Sequence, residues 1–353
     1  FGGLIGDLSD VGLSQALTTT VGAPGHEVPA LSFAFFQLTF AIVTTALLSG
    51  AVADRIKFTA WLALVAAWST FIYIPLAHMA FASQGGNGGL FIDRWGVLDF
   101  AGGTAVEINS GASALALALV IGKRVGFKKD PMRPHNIPLV LLGAGLLWFG
   151  WFGFNAGSAL EANGSAALAF VTTFLATAAA VLGWTFIEWI TKGKPSMLGA
   201  ASGCVAGLVA ITPAAGFVGP MGAIIIGFVA GILCLWGVSG LKKMLGADDS
   251  LDVFGVHGVG GITGAILTGV FADPGLGGAG IYDYVANAVA KDYSIASQVI
   301  IQAQGVVVTL IWSGIVAFIA FKIADIVFGL RVKEEEEREG LDINSHGESA
   351  YET

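Results

Sequence analysis

Two ionisable residues stand inside stretches that are otherwise almost wholly apolar. Glu107 ends the run Asp99-Phe-Ala-Gly-Gly-Thr-Ala-Val-Glu107, and His257 ends the run Asp249-Ser-Leu-Asp-Val-Phe-Gly-Val-His257. A carboxylate and an imidazole are the two side chains best suited to holding or passing a proton near neutral pH. Each lies eight positions after an aspartate. In a membrane such groups are costly, so they normally face a bundle interior or a water-filled path and mark function. The plainer reading is a glutamate hydrogen-bonded to a neighbouring helix and a histidine satisfied by a backbone carbonyl. Asp99 and Asp249, with Asp252 between Asp249 and His257, read as structural support, since an aspartate at a helix start satisfies orphan N–H groups.

The elements that carry these residues follow from hydropathy. Hydrophobic residues make up 55% of the 353, only 12% are charged, and the mean hydropathy is +0.78. A soluble domain carries about 25% charged residues, so the solvent for most of this chain is lipid. The 51 glycines suit closely packed membrane helices. A net charge of −8 without a basic patch argues against a nucleic-acid partner. Cys204 and Cys234 lie in apolar runs and read as packing residues, without a disulfide framework. With about 20 apolar residues needed per crossing, nine spans are predicted: 31–53, 59–82, 101–122, 137–160, 165–190, 197–213, 218–239, 251–272 and 298–325. The sixth is short and bounded by Gly and Pro. The expected fold is an all-α polytopic membrane protein, an inverted-repeat helix bundle. It divides into an extracytoplasmic segment (1–28), a transmembrane transport domain (29–328) and a cytoplasmic tail (329–353).

Lys and Arg set the orientation. Fourteen (Arg55, Lys57, Lys123, Arg124, Lys128, Lys129, Arg133, Lys192, Lys194, Lys242, Lys243, Arg331, Lys333 and Arg338) fall on one set of alternate loops and the tail. Two, Arg94 and Lys291, fall on the other. The tail is therefore expected inside the cell and the N-terminus outside. Residues 1–28 hold no Lys, Arg or Met, which suggests a chain that starts part-way through a longer protein. On this orientation the helix of Glu107 runs inward and that of His257 outward, an inverted relation of the kind that builds midplane sites. Eight residues at a rise of about 1.5 Å cover roughly 12 Å. In a core of about 30 Å the two side chains then differ in depth by only about 6 Å. Direct or water-bridged contact is within reach.

The same residues carry a resemblance. Asp99-Phe-Ala-Gly-Gly103, Trp151-Phe-Gly-Phe-Asn-Ala-Gly-Ser158 and Asp252-Val-Phe-Gly-Val-His-Gly-Val-Gly-Gly261 resemble signatures of the ammonium transporter (Amt/Mep/Rh) family. The stretches Gly329-Leu-Arg-Val332 and Glu339-Gly-Leu-Asp-Ile-Asn-Ser-His-Gly-Glu348 resemble its C-terminal region. The resemblance implies eleven spans, of which the first two are absent here. It also implies a homotrimer in the cell inner membrane, and a pore into which an aromatic vestibule recruits ammonium. By motif, Phe40 and Phe154 resemble the phenylalanine gate, Phe36 and Ser158 the vestibule, and Trp151 its neighbouring wall. His257 resembles the second channel histidine. For the three phenylalanines, composition alone reads as core packing.

Two positions depart from the commonest family pattern. Glu107 replaces the first channel histidine, as in some fungal members. Phe81 stands where a tryptophan is expected after His78-Met79, keeping a π-face but losing the indole N–H. The resemblance implies that ammonium loses a proton at the gate and crosses as ammonia, while the proton travels by Glu107 and His257. A fixed-charge role for Glu107, which would weaken discrimination against potassium, is the alternative. A non-conducting ammonium sensor and a passive ammonia channel are rival functions. Tail residues 329–353 include Glu334-Glu-Glu-Glu337. Composition reads this run as a solvated face. The resemblance raises contact with neighbouring loops and a P-II signalling protein as partner. The five histidines (26, 78, 135, 257 and 346) show no metal-binding spacing, and no nucleophile motif occurs, so neither an enzyme, a metal nor a cofactor is expected.

Overall fold

The structure, a computed structural model, describes residues 2–22, 25–83, 88–283, 288–289, 292–349 and 351. Lys291, used above for orientation, and residues 84–87 just beyond Phe81 lie outside the described residues. Among those described, eight helices are long and apolar enough to cross a membrane. They are α1 (Ala30–Val52), α2 (Phe58–Phe81), α3 (Gly103–Ile121), α4 (Ile137–Gly157), α5 (Gly164–Lys192), α7 (Pro220–Leu245), α8 (Phe254–Phe271) and α9 (Ile295–Phe328). The short sixth span is α6 (Met197–Ile211), and the tail adds a surface helix, α10 (Glu334–Glu339).

Although only 15 residues long, α6 makes a full passage. Its start is tied to the end of α5, where Glu188 accepts from the Ser196 N–H and hydroxyl. Its far end meets the segment leading into α3, where Phe100 and Ala101 donate to the carbonyls of Pro213 and Thr212. Residues 203–204 and 206–211 are buried in protein, so the helix need not match the bilayer thickness. Among the described residues, eight of the nine predicted spans are thus full-length helices and the sixth is this shorter, buried one.

Several boundaries are set by caps that hydropathy cannot see. The side chains of Asn136, Asn163 and Ser196 accept from the N–H three residues on and start α4, α5 and α6. In contrast, α7 runs on past its predicted end through Lys242 and Lys243, because helical geometry persists after apolarity stops. Glycine sets the closest helix approach, where a Cβ on Gly227 or Gly231 of α7 would stand 2.1 or 2.3 Å from the carbonyl oxygens of Ala176 and Ala180 on α5. Dispersion between close backbones is the main glue available in lipid.

Both helices that carry the ionisable pair open with a wide π-helical turn, Gly103–Ile108 in α3 and Phe254–Gly258 in α8. Such turns are rare, and they concentrate at functional sites. The two helices are antiparallel: Gly111 of α3 faces Gly258 of α8, and Glu107 faces Gly261.

Candidate functional site

The two phenylalanines expected at a gate lie together. Phe40 on α1 and Phe154 on α4 stack with ring centroids 4.5 Å apart and planes 20° from parallel. Phe40 is buried, and Phe36, one turn earlier, meets it edge-on at 4.9 Å. Phe81 at the end of α2 does the same at 5.9 Å, and Trp151 lies edge-on to Phe154 at 5.3 Å. Three helices thus deliver five aromatic rings to one place, and Phe81 stands in that cluster.

Polar groups beside the rings hold them. Trp151 Nε1 donates to Thr212 Oγ1 at 2.8 Å, and Asn155 Nδ2 donates to Thr173 Oγ1 at 2.9 Å. The Ser158 hydroxyl donates to the Phe154 carbonyl at 2.8 Å, which leaves its lone pairs free to accept. The sequence reading missed Thr212, Asn155 and Thr173. Their signal was a polar residue within an apolar helix, which for a threonine is weak because its hydroxyl usually returns to the carbonyl four residues back.

His257 Nδ1 lies 2.6 Å from Glu107 Oε2, so the matched depths inferred from spacing correspond to direct contact. The Glu107 side chain is fully buried, while that of His257 retains 9% exposure. The imidazole is therefore the accessible member, with the carboxylate behind it. A carboxylate on Nδ1 fixes the neutral ring as the Nδ1–H tautomer and leaves Nε2 as an acceptor. Ser110 donates to the Glu107 carbonyl at 3.2 Å, and Asn109 donates to the Ala105 carbonyl at 3.1 Å while accepting from Ser313 of α9 at 2.8 Å. These bonds brace α3 on both sides of Glu107.

The contact depends on backbone proximity. A Cβ on Gly111 would stand 2.4 and 2.5 Å from the N and Cα of Gly258. Gly111→Ala is expected to push α3 off α8, with an overpacking cost of about 1–3 kcal/mol. Thermal melting of the purified protein in detergent checks this, and an unchanged midpoint would refute it.

Asp99 is a saturated cap. Its carboxylate accepts from the amides of Gly102, Gly103, Thr104 and Ala105, and from the Thr104 hydroxyl. Gln302 of α9 holds the preceding residue through both backbone groups of Leu98, each at 2.7 Å. Asp252 accepts from Lys242 Nζ at 2.7 Å. Asp249 takes one bond, from the Phe254 amide at 2.7 Å. Asp99 and Asp249 thus accept from amides at the starts of α3 and α8, unequally, whereas the Asp252 side chain reaches the end of α7.

At the tail-bearing end, Arg55 is fully buried. Its guanidinium donates to the carbonyls of Gly122, Ala51, Ala53 and Asp248 and to the Ser250 hydroxyl. Burial pushes it down to about 10, still charged at any physiological pH. Arg124 clasps the buried Asp248 carboxylate at 2.8 Å. The tail joins the same cluster: Lys57 N–H donates to the Leu330 carbonyl and Val332 N–H to that of Arg55. Glu337 bonds Arg331 at 2.8 Å and the Val125 amide at 2.6 Å. The charge run is thus not only a solvated face, because Glu337 binds a loop while Glu334 pairs with Arg338 in solvent. Among the described residues, no group of three or more His, Cys, Asp or Glu could hold a metal ion.

An apolar bundle with, among the described residues, eight helices able to cross a membrane and a ninth, shorter one, with these groups inside it, is a polytopic membrane transport protein. The particular family follows from comparison: the chain belongs to the Ammonium Transporter Family, whose description matches residues 2–351. It is 49% identical over 350 residues to an ammonium transporter of Aquifex aeolicus, covering 99% of this chain and 78% of that one. Among solved structures it is similar to a protein titled Sensor Amt Protein, with a TM-score of 0.84, 32% identity and coverage of 98% and 82%. It is also similar to Mep2 of Saccharomyces cerevisiae, with a TM-score of 0.77, 36% identity and coverage of 87% and 70%.

Proposed function

We propose that this protein recruits ammonium outside the Phe40/Phe154 stack, deprotonates it there and conducts ammonia through the apolar interior. The proton travels separately by Glu107 and His257, so transport is electrogenic. The observation that carries this reading is the buried Glu107–His257 bond of 2.6 Å in a bundle otherwise closed by stacked phenyl rings.

An ammonium ion at the rings exchanges water for aromatic faces, worth on the order of 0.5–2 kcal/mol each. Phe36, Phe81 and Trp151 are the faces available, and Ser158 supplies an acceptor oxygen. Beyond the rings a bare cation would lose hydration that apolar walls do not replace, whereas neutral ammonia passes at little cost. The proton is received at His257 Nε2, and the imidazolium so formed is stabilised by the Glu107 carboxylate at Nδ1.

In this reading the protein is a homotrimer of the cell inner membrane, with the tail in the cytoplasm. A P-II signalling protein then meets the loops at the tail-bearing end. The similarity to a structure titled as a sensor favours a second reading, a receptor that binds ammonium and conducts little. Ammonium jumps applied to proteoliposomes on a solid-supported membrane decide between them. The transport reading expects a current with ammonium and none with equimolar potassium. Ammonium binding without current would leave the sensor, and ammonia flux without current would leave a passive channel.

A further inference from the structure

Asp99 and Asp249 occupy equivalent places, each eight residues ahead of one member of the pair and each before a wide turn. Their surroundings differ sharply. Asp99 accepts four amides and a hydroxyl, which leaves it a fully satisfied cap. Asp249 is only 2% exposed, yet it accepts a single amide bond, and its Oδ1 is buried with no protein partner. A half-satisfied buried carboxylate is a poor cap and an apt proton acceptor. The local sequence explains the difference. Gly102-Gly103-Thr104 lets successive amides converge on Asp99, whereas Asp252, in a left-handed conformation (φ 62°), follows Asp249 and is itself engaged with Lys242.

We propose that Asp249 is the inner proton-accepting residue of the transport cycle, taking the proton from the Glu107–His257 pair and releasing it at the tail-bearing end. This rests on the electrogenic reading above. The step balances simply. The N–H bond of the His257 imidazolium breaks as an O–H bond forms on Asp249 Oδ1. That O–H then breaks to water at the tail-bearing end, and carboxylate and neutral imidazole are both restored. The separation of eight residues, about 12 Å along the helix, calls for intervening water.

The surrounding charges suit this task. Burial, with Asp252 alongside, pushes the Asp249 carboxyl up to about 6, against the bonded Phe254 amide, the neighbouring Val253 amide and the charge of Lys242 from the end of α7. The two buried arginines at this end are already engaged: Arg124, from the loop after α3, pairs with Asp248, and Arg55 donates to the Asp248 carbonyl and Ser250. Asp249 can therefore change its protonation state at physiological pH without breaking an ion pair.

Asp249→Asn keeps an acceptor for the Phe254 amide but cannot carry a proton. In proteoliposomes of the full chain, ammonium-evoked current should fall at least about tenfold. The wild-type inflection of current near pH 6 should vanish, while ammonia entry, read by a lumenal pH dye, continues. Asp249→Glu should restore part of the current and the inflection. Wild-type amplitude and pH profile in Asp249→Asn would overturn the proposal. So would loss of current in both variants together with a lowered melting midpoint, since the residue would then be structural. Absence of current from the wild type would instead overturn the electrogenic reading itself.

Discussion

Replacement of Glu107 by Gln should reduce ammonium-evoked current by about tenfold to a hundredfold while leaving the protein folded. The amide is nearly isosteric and can still bond His257 Nδ1, so the 2.6 Å contact has a partner of the same size. What is lost is the negative charge that stabilises an imidazolium beside it. Proton relays of this type contribute some 10²–10⁴-fold where they limit the rate, and a smaller loss, up to the bottom of that range, fits a step shared with diffusion through the pore. Glu107→His supplies a second titratable ring at the same depth and should retain current. If Glu107 were instead a fixed charge that helps an intact cation through, both variants would shift the ammonium-to-potassium current ratio. Unchanged currents and selectivity in both would remove Glu107 from the mechanism.

The largest stability effect is expected at the tail-bearing end, from Asp248→Ala. The Asp248 side chain is fully buried, and it accepts from the Arg124 amide at 2.7 Å and from its guanidinium at 2.8 and 3.0 Å. Removing one partner of a buried pair costs about 3–5 kcal/mol, because the other charge is left unpaired. Arg124 retains 12% exposure and a second carboxylate, Asp54, at 3.6 Å, which places the expected loss at the lower end. The pH dependence follows. Burial alone would raise the Asp248 carboxyl, but the bonds and charge of Arg124 hold it below its ordinary range. A carboxyl lowered on folding stabilises fully above its unfolded value near 3.9 and loses that effect as pH falls through the folded value. The gap in melting midpoint between wild type and Asp248→Ala should therefore be constant around pH 6–8 and close below about pH 4. A gap that persisted under acid conditions would rule out the ion pair as its cause.

The chemistry at the centre was more legible than the structure around it. Glu107 and His257 could be found because lipid makes a buried ionisable group expensive, and their partnership because spacing converts to depth along a helix. The rings gave no such signal. Phe40 and Phe154 lie on separate helices, and phenylalanine is ordinary in any membrane span, so only a family resemblance singled them out. The wide turns were invisible because helices that are apolar nearly all round show no periodicity whose phase could slip. Asp99 and Asp249 looked alike because spacing records position, whereas the number of amides that converge on a carboxylate depends on the backbone after it. Glu337 was hidden within a run of four glutamates, and only the fold shows which of them reaches Val125.

The antiparallel contact between α3 and α8 also limits how this protein can move. Many carriers expose a site to each side in turn by tilting one half of the molecule against the other. Here such a tilt would stretch the Glu107–His257 bond and drive the backbone at Gly111 into Gly258. The seam is riveted where a rocking machine would need its pivot free. In the mechanism proposed above, turnover relies on smaller parts, namely phenyl rings that turn on their own bonds and protons that hop. Both are inherently faster than the microsecond-to-millisecond swing of a domain.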